Sequence, residues 1–96
     1  MSEVIKMKFN TVTKLSAVWC GPCKQYAPIF ESAVEDLEDW NVISLDFDTP
    51  EGQAFAEKYG IRGVPATLIE RQGEETRLLM GGKTKADLLQ FMTGDL

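Results

Sequence analysis

The stretch "TVTKLSAVWCGPCKQYAPIFESAV" (residues 11–34) changes its apolar period once, and that change constrains the fold more than any other feature. Up to Trp19 the stretch "TVTKLSAVW" (11–19) reads as a β-strand. From Pro22 the period becomes helical: Tyr26, Phe30, Ala33, Val34 and Leu37 recur on one side, which predicts a helix to about Asp39. Pro28 lies inside that helix and should kink it without taking part in chemistry. A strand that runs into a helix, with Cys20 and Cys23 at the junction, needs an architecture that layers helices on a sheet.

The remaining elements agree. "EVIKMKF" (3–9) alternates Ile5, Met7 and Phe9 with Lys6 and Lys8, which reads as a half-buried strand, either at an edge or extending the next strand. "NVISLDF" (41–47) is a further strand. Thr49-Pro50 looks like a helix cap followed by proline at the first helical position, and the short helix carrying Phe55 and Tyr59 stops at Gly60. "ATLIER" (66–71) and "ETRLLM" (75–80) flank Gln72-Gly73-Glu74 as a hairpin. Gly81-Gly82 breaks the last strand, Thr84 and Asp87 resemble a capping box, and Leu88, Leu89, Phe91 and Met92 follow on a final helix. The order predicts an α/β sandwich with a mixed sheet. The strand from 11 should lie parallel to 41–47, since a helix joins them, and the hairpin strands antiparallel to each other.

Length and charge narrow the function. The 96 residues suit a single domain spanning 1–96. A net charge of −5 argues against nucleic acid, which needs a basic face, and against anionic membranes. The acidic residues Glu31, Glu35, Asp36, Glu38 and Asp39 read as a solvated helix face. "MSEVIKMKF" holds no long apolar run, so neither a signal peptide nor a membrane span is expected, and the cytoplasm is the expected location. There is no histidine, which removes the commonest general base and metal ligand.

Two cysteines can bind a metal, staple a fold or exchange a disulfide. A structural zinc site wants four ligands, and two thiols without imidazole leave only a site shared between two chains. As a staple, Cys20 to Cys23 closes almost no loop. Exchange fits the chemistry. The thiolate is the attacking species, and a helix N-terminus favours it through partial positive charge and free N–H groups. Cys20 lies at that N-terminus, and Cys23 lies one turn further on the same side, placed to resolve a mixed disulfide. Gly21 is expected to let the chain turn tightly, Pro22 to stiffen the first turn, and Lys24 to add a nearby positive charge.

"WCGPCK" in this strand-to-helix context resembles the thioredoxin active site. Pro28, "YGIRGVPAT" (59–67) and "MGGKTKADL" (80–88) extend the resemblance in order over most of the chain. It implies a thioredoxin-like fold, a central mixed β-sheet flanked by α-helices. It implies Cys20 as nucleophile, Cys23 as resolving thiol, and a cis Val64-Pro65 bond lying against the disulfide. The backbone of Val64 would pair with an extended substrate segment. Trp19, Gly21, Pro22, Val64, Pro65, Gly81 and Gly82 would form an apolar docking surface. Trp19 is read as a docking aromatic rather than a core one, whereas Gly81-Gly82 reads equally well as a simple turn and Phe47 as core.

The chain departs from the family at several points. The strand position six residues before the first cysteine, where thioredoxins carry a buried aspartate, is Lys14, and the accompanying lysine aligns with Ser44. Lys14 is expected either to reach the surface or to lie near the dithiol and favour its thiolate. Ala66 stands where threonine is common. Only 19 residues precede Cys20, so the N-terminal helix is expected to be absent or vestigial, as in the smaller glutaredoxin-like form.

The implied activity is protein disulfide reduction by a monomer without a cofactor beyond the redox-active cysteine pair. Its electron donor would be a thioredoxin reductase, NADPH- or ferredoxin-linked, and its substrates disulfide-containing proteins. A glutathione-dependent glutaredoxin-like enzyme is the nearest alternative, though "CGPC" departs from its usual proline-aromatic motif. A thioredoxin-like binding subunit is the other.

Overall fold

Val12 and Leu15 are completely buried, and they point to opposite faces of one strand. Such a strand must lie inside a sheet that is covered on both sides. It is β1 (Asn10–Ser16). The computed structural model describes residues 10–35 and 37–94. After β1 come α1 (Gly21–Val34), β2 (Trp40–Asp46), α2 (Pro50–Tyr59), β3 (Ala66–Glu70), β4 (Arg77–Met80) and α3 (Lys85–Thr93). The sheet order is β2-β1-β3-β4. β1 runs parallel to β2, as the intervening helix requires, and antiparallel to β3. β3 and β4 form the antiparallel hairpin. The expected strand at 3–9 and the expected loss of a leading helix both lie outside the described residues.

Register sorts the two faces. Val12 stands opposite Ile69, and Thr67 opposite Leu79. These residues face α1 and α3, where Tyr26, Phe30, Leu88 and Met92 complete the larger core. Full burial of each such side chain contributes about 1.5–3 kcal/mol. On the other face Leu15 and Ala66 meet Ala56 of α2 and Ile61.

Several element ends differ from expectation, the larger differences for physical reasons. β1 stops at Ser16 rather than Trp19, because the chain turns there: the Cys20 N–H donates to the Ala17 carbonyl at 3.2 Å. Val18 and Trp19 are thereby left 73% and 63% exposed. α1 runs through Pro28 but ends at Val34, well before Asp39. Its last turn holds no basic residue, and Glu35, Glu38 and Asp39 would oppose the negative end of the helix dipole. The hairpin strands are shorter than expected, and Glu75 and Thr76 belong to an exposed connection in which Gly73 takes φ 78.

Local signals explain α2 and α3. The Thr49 hydroxyl accepts the Gly52 N–H at 3.0 Å, Pro50 opens α2, and Gly60 closes it at φ 68. The Thr84 hydroxyl accepts the Asp87 N–H at 3.1 Å. Among the described residues no helix is long and apolar enough to cross a membrane.

One polar pair ties α1 to the sheet inside the larger core: the Tyr26 and Thr67 hydroxyls are 2.8 Å apart. Burial raises the Tyr26 pKa above 10.0, against a smaller opposing effect of the Thr67 hydrogen bond. The folded state therefore holds this proton more tightly than the unfolded chain. The resulting stability is fully present below pH 10.0 and is lost as pH rises from there through the folded value. Tyr26→Phe is expected to cost about 1–3 kcal/mol at neutral pH, because Thr67 loses its partner. It should also flatten the decline of stability above pH 10.0. Urea unfolding at stepped pH measures both, and an identical alkaline slope in the two proteins contradicts the assignment.

Candidate active site

The turn that ends β1 delivers Cys20 to the N-cap of α1, with φ −94 and ψ 110. Cys20 Sγ accepts the Cys23 N–H at 3.1 Å, so the sulfur takes the place that a serine or aspartate oxygen fills in other helices. Cys20 and Cys23 are joined as a disulfide with their Cα atoms 5.2 Å apart. Both residues are buried, at 5% and 3% exposed, so residue burial does not distinguish them. The helix does: it presents an N–H group to Cys20, which favours negative charge there once the pair is reduced. Pro22 sits in the first turn, where its missing N–H leaves no bond unmade.

Gly21 does not have the turn-forming role expected of it. No positive φ is found there, and a methyl group at that position would meet nothing within 4 Å.

The loop before β3 closes over the disulfide. The Val64-Pro65 bond is cis, and the Val64 carbonyl oxygen lies 3.6 Å from Cys20 Sγ. Val64 and Phe47 pack against a small cluster of Ala17, Cys20 and Cys23. The Pro65 carbonyl accepts the Gly81 N–H at 2.8 Å, which ties this loop to the end of β4. Gly81 takes φ 79, a conformation that favours glycine. Gly82 lies exposed beside the Tyr26 ring. Thus Trp19, Gly21, Pro22, Val64, Pro65, Gly81 and Gly82 come from three segments: the turn into α1 with its first residues, the loop before β3, and the end of β4, the last two joined by a backbone bond.

Trp19 is exposed but held at two points. Its indole N–H donates to Asp48 Oδ2 at 2.7 Å, and its ring meets Phe47 edge-on at 6.5 Å between centroids. Phe47, expected in the core, is half-buried and lies between that core and the dithiol. Asp48 was not legible as a site residue, since an acidic residue after a strand carries no signal that it will meet a tryptophan 29 positions away.

Lys14 does not reach the surface, the first of the two positions expected for it. The residue is 7% exposed, and its ammonium rests 5.2 Å from the centre of the Phe30 ring. Phe30 is two turns beyond Cys23, about 10 Å along the helix axis. A cleft of about 340 Å³ does open on Cys23, lined by Ser16, Lys24, Ser44 and Asp46 among others. No group of three or more metal-ligating side chains occurs among the described residues.

Comparisons with known proteins agree with this geometry. The family model for thioredoxin matches residues 1–94. A thioredoxin of Streptomyces clavuligerus is 33% identical over 89 residues, covering 93% of this chain and 81% of the relative. One of Bacillus subtilis is 35% identical over 81 residues, covering 83% and 76%. A thioredoxin variant of Halobacterium salinarum of known structure superposes with a TM-score of 0.75 at 31% identity, covering 98% of this chain and 83% of the other.

Proposed function

Since the chain belongs to the thioredoxin family and is a thiol–disulfide oxidoreductase of the protein disulfide reductase type, we propose that Cys20 attacks the substrate disulfide and Cys23 releases the product. The Cys23 N–H held on Cys20 Sγ is the observation that carries this assignment. The Cys20 thiolate bonds to one substrate sulfur and the other leaves as a thiolate. Cys23 then attacks Cys20, the mixed disulfide breaks, and the second substrate sulfur departs. Two electrons pass to the substrate, and the Cys20–Cys23 disulfide remains.

The substrate lies across the surface of Trp19, Gly21, Pro22, Val64, Pro65, Gly81 and Gly82. The Val64 backbone, already facing the disulfide, pairs with its extended chain. Disulfide-containing proteins are the substrates. A thioredoxin reductase, NADPH- or ferredoxin-linked, returns the electrons. We place this single domain, residues 1–96, in the cytoplasm as a monomer with no cofactor beyond its cysteine pair, acting on proteins and not on nucleic acid or membranes.

Insulin disulfide reduction with dithiothreitol, glutathione or a thioredoxin reductase as donor tests the reading. Turnover with dithiothreitol and a reductase is expected. Turnover with glutathione alone would favour the glutaredoxin-like alternative, and none with any donor would leave only a binding role.

The Trp19–Asp48 bond yields a narrower expectation. Asp48→Ala frees the indole, which must then be ordered by the substrate at about 0.5–1.5 kcal/mol, so KM for insulin should rise about two- to tenfold. The kcat should change little, because Asp48 does not touch the sulfurs. A fall in kcat at constant KM contradicts a docking role.

A further inference from the structure

Resolution of the mixed disulfide needs Cys23 as a thiolate, yet Cys23 is 3% exposed. A thiol with little solvent around it gives up its proton less readily than an exposed one. Its sulfur lacks the helix N–H that Cys20 receives, and the strand position where the family carries an aspartate holds Lys14, which rests on Phe30. The solvent within reach of Cys23 is that of the cleft it lines, and the acceptor of its proton is to be sought there.

We propose that Asp46 accepts the Cys23 proton through water in the cleft that both residues line. This rests on the roles given to the two cysteines above. The cleft, about 340 Å³, lies between the end of β1, the first turns of α1 and the end of β2. Water takes about 30 Å³ per molecule in the liquid, so several fit, and Ser16 and Ser44 offer hydroxyls to hold them. Asp46 is the one carboxylate lining the cleft, and Lys24 from α1 is the other charged group. Asp48 is engaged with Trp19, and Lys14 lies further along the same sheet face. The Asp48 N–H donates to Asp46 Oδ1 at 2.9 Å and fixes the carboxylate; its other oxygen has no partner among the described residues.

The step balances. The Cys23 proton passes through water to Asp46. The Cys23 thiolate attacks Cys20 sulfur and the bond from Cys20 to the substrate breaks. The substrate thiolate leaves with the electron pair and is protonated from the cleft or from solvent.

Asp46→Asn tests this, because asparagine keeps an oxygen for the Asp48 N–H. The reduced protein is mixed with excess dithiobis(nitrobenzoate), a chromogenic aryl disulfide. The first phase, Cys20 attack, scales with reagent concentration; the second, release by Cys23, does not. Asp46→Asn is expected to slow the second phase about tenfold or more near pH ~7, and to move its pH profile upward. The first phase should stay within about twofold, and Asp46→Glu should recover part of the loss. An unchanged second phase overturns the proposal, and so does an equal fall in both phases. Failure of the wild-type protein to show the second phase, or its persistence in Cys23→Ser, overturns the cysteine roles themselves.

Discussion

Cys23→Ser is expected to hold substrate proteins in a covalent complex through Cys20, while Cys20→Ser captures few or none. The first variant keeps the sulfur at the helix N-cap and loses the thiol that would release the product. The second keeps a buried thiol that receives no helix N–H. Disulfide reduction should fall on the order of 10³-fold or more in both, as for loss of a covalent nucleophile. Non-reducing electrophoresis after mixing with oxidised insulin shows the trapped species, and reducing agent should remove it. Equal trapping by the two variants contradicts the assignment. Near-equal burial of the two residues makes this a demanding test, because burial alone does not favour either.

Gly52→Ala is expected to destabilise the fold by about 3 kcal/mol or more. A methyl group there would collide with the Asp46 carbonyl oxygen and carbon and with Phe47 Cα. These are backbone atoms that cannot rotate away. The first turn of α2 and the end of β2 would have to separate, moving Asp46 and Phe47 beside the dithiol. Against a total stability of about 5–15 kcal/mol the loss is large, and exchange activity should fall with it. Gly21→Ala is the control. It meets no atom within 4 Å, and its stability should stay within about 0.5 kcal/mol of wild type. Urea midpoints decide; a Gly52→Ala midpoint near wild type would mean that α2 shifts without resistance.

Much of this was legible in the sequence because period and punctuation are local signals. The switch at Pro22, the Thr49-Pro50 cap and the Gly60 stop each fix a backbone state through nearby atoms, and the structure shows all three. Element ends were less legible. Val18 and Trp19 continue the apolar run of β1 but leave the sheet, since a turn bond to Ala17 outweighs their strand preference. Lys14 was unreadable for another reason. Whether a lysine reaches water, a thiol or a ring depends on which helix covers its face of the sheet, and here that helix brings Phe30. Asp48 and Gly52 act through contacts between separate segments. No spacing rule announces that an indole will reach one or that a carbonyl will crowd the other.

The central claim is that the helix N-terminus makes Cys20 the attacking thiolate. Alkylation of the reduced wild-type protein with limiting iodoacetamide across pH, with the modified residue located by peptide mass, tests it most directly. Cys20 is expected to react first, with an apparent pKa below the ordinary thiol value of about 8.5. Cys23 reacting first, or both sites reacting together at about 8.5 or above, would contradict it.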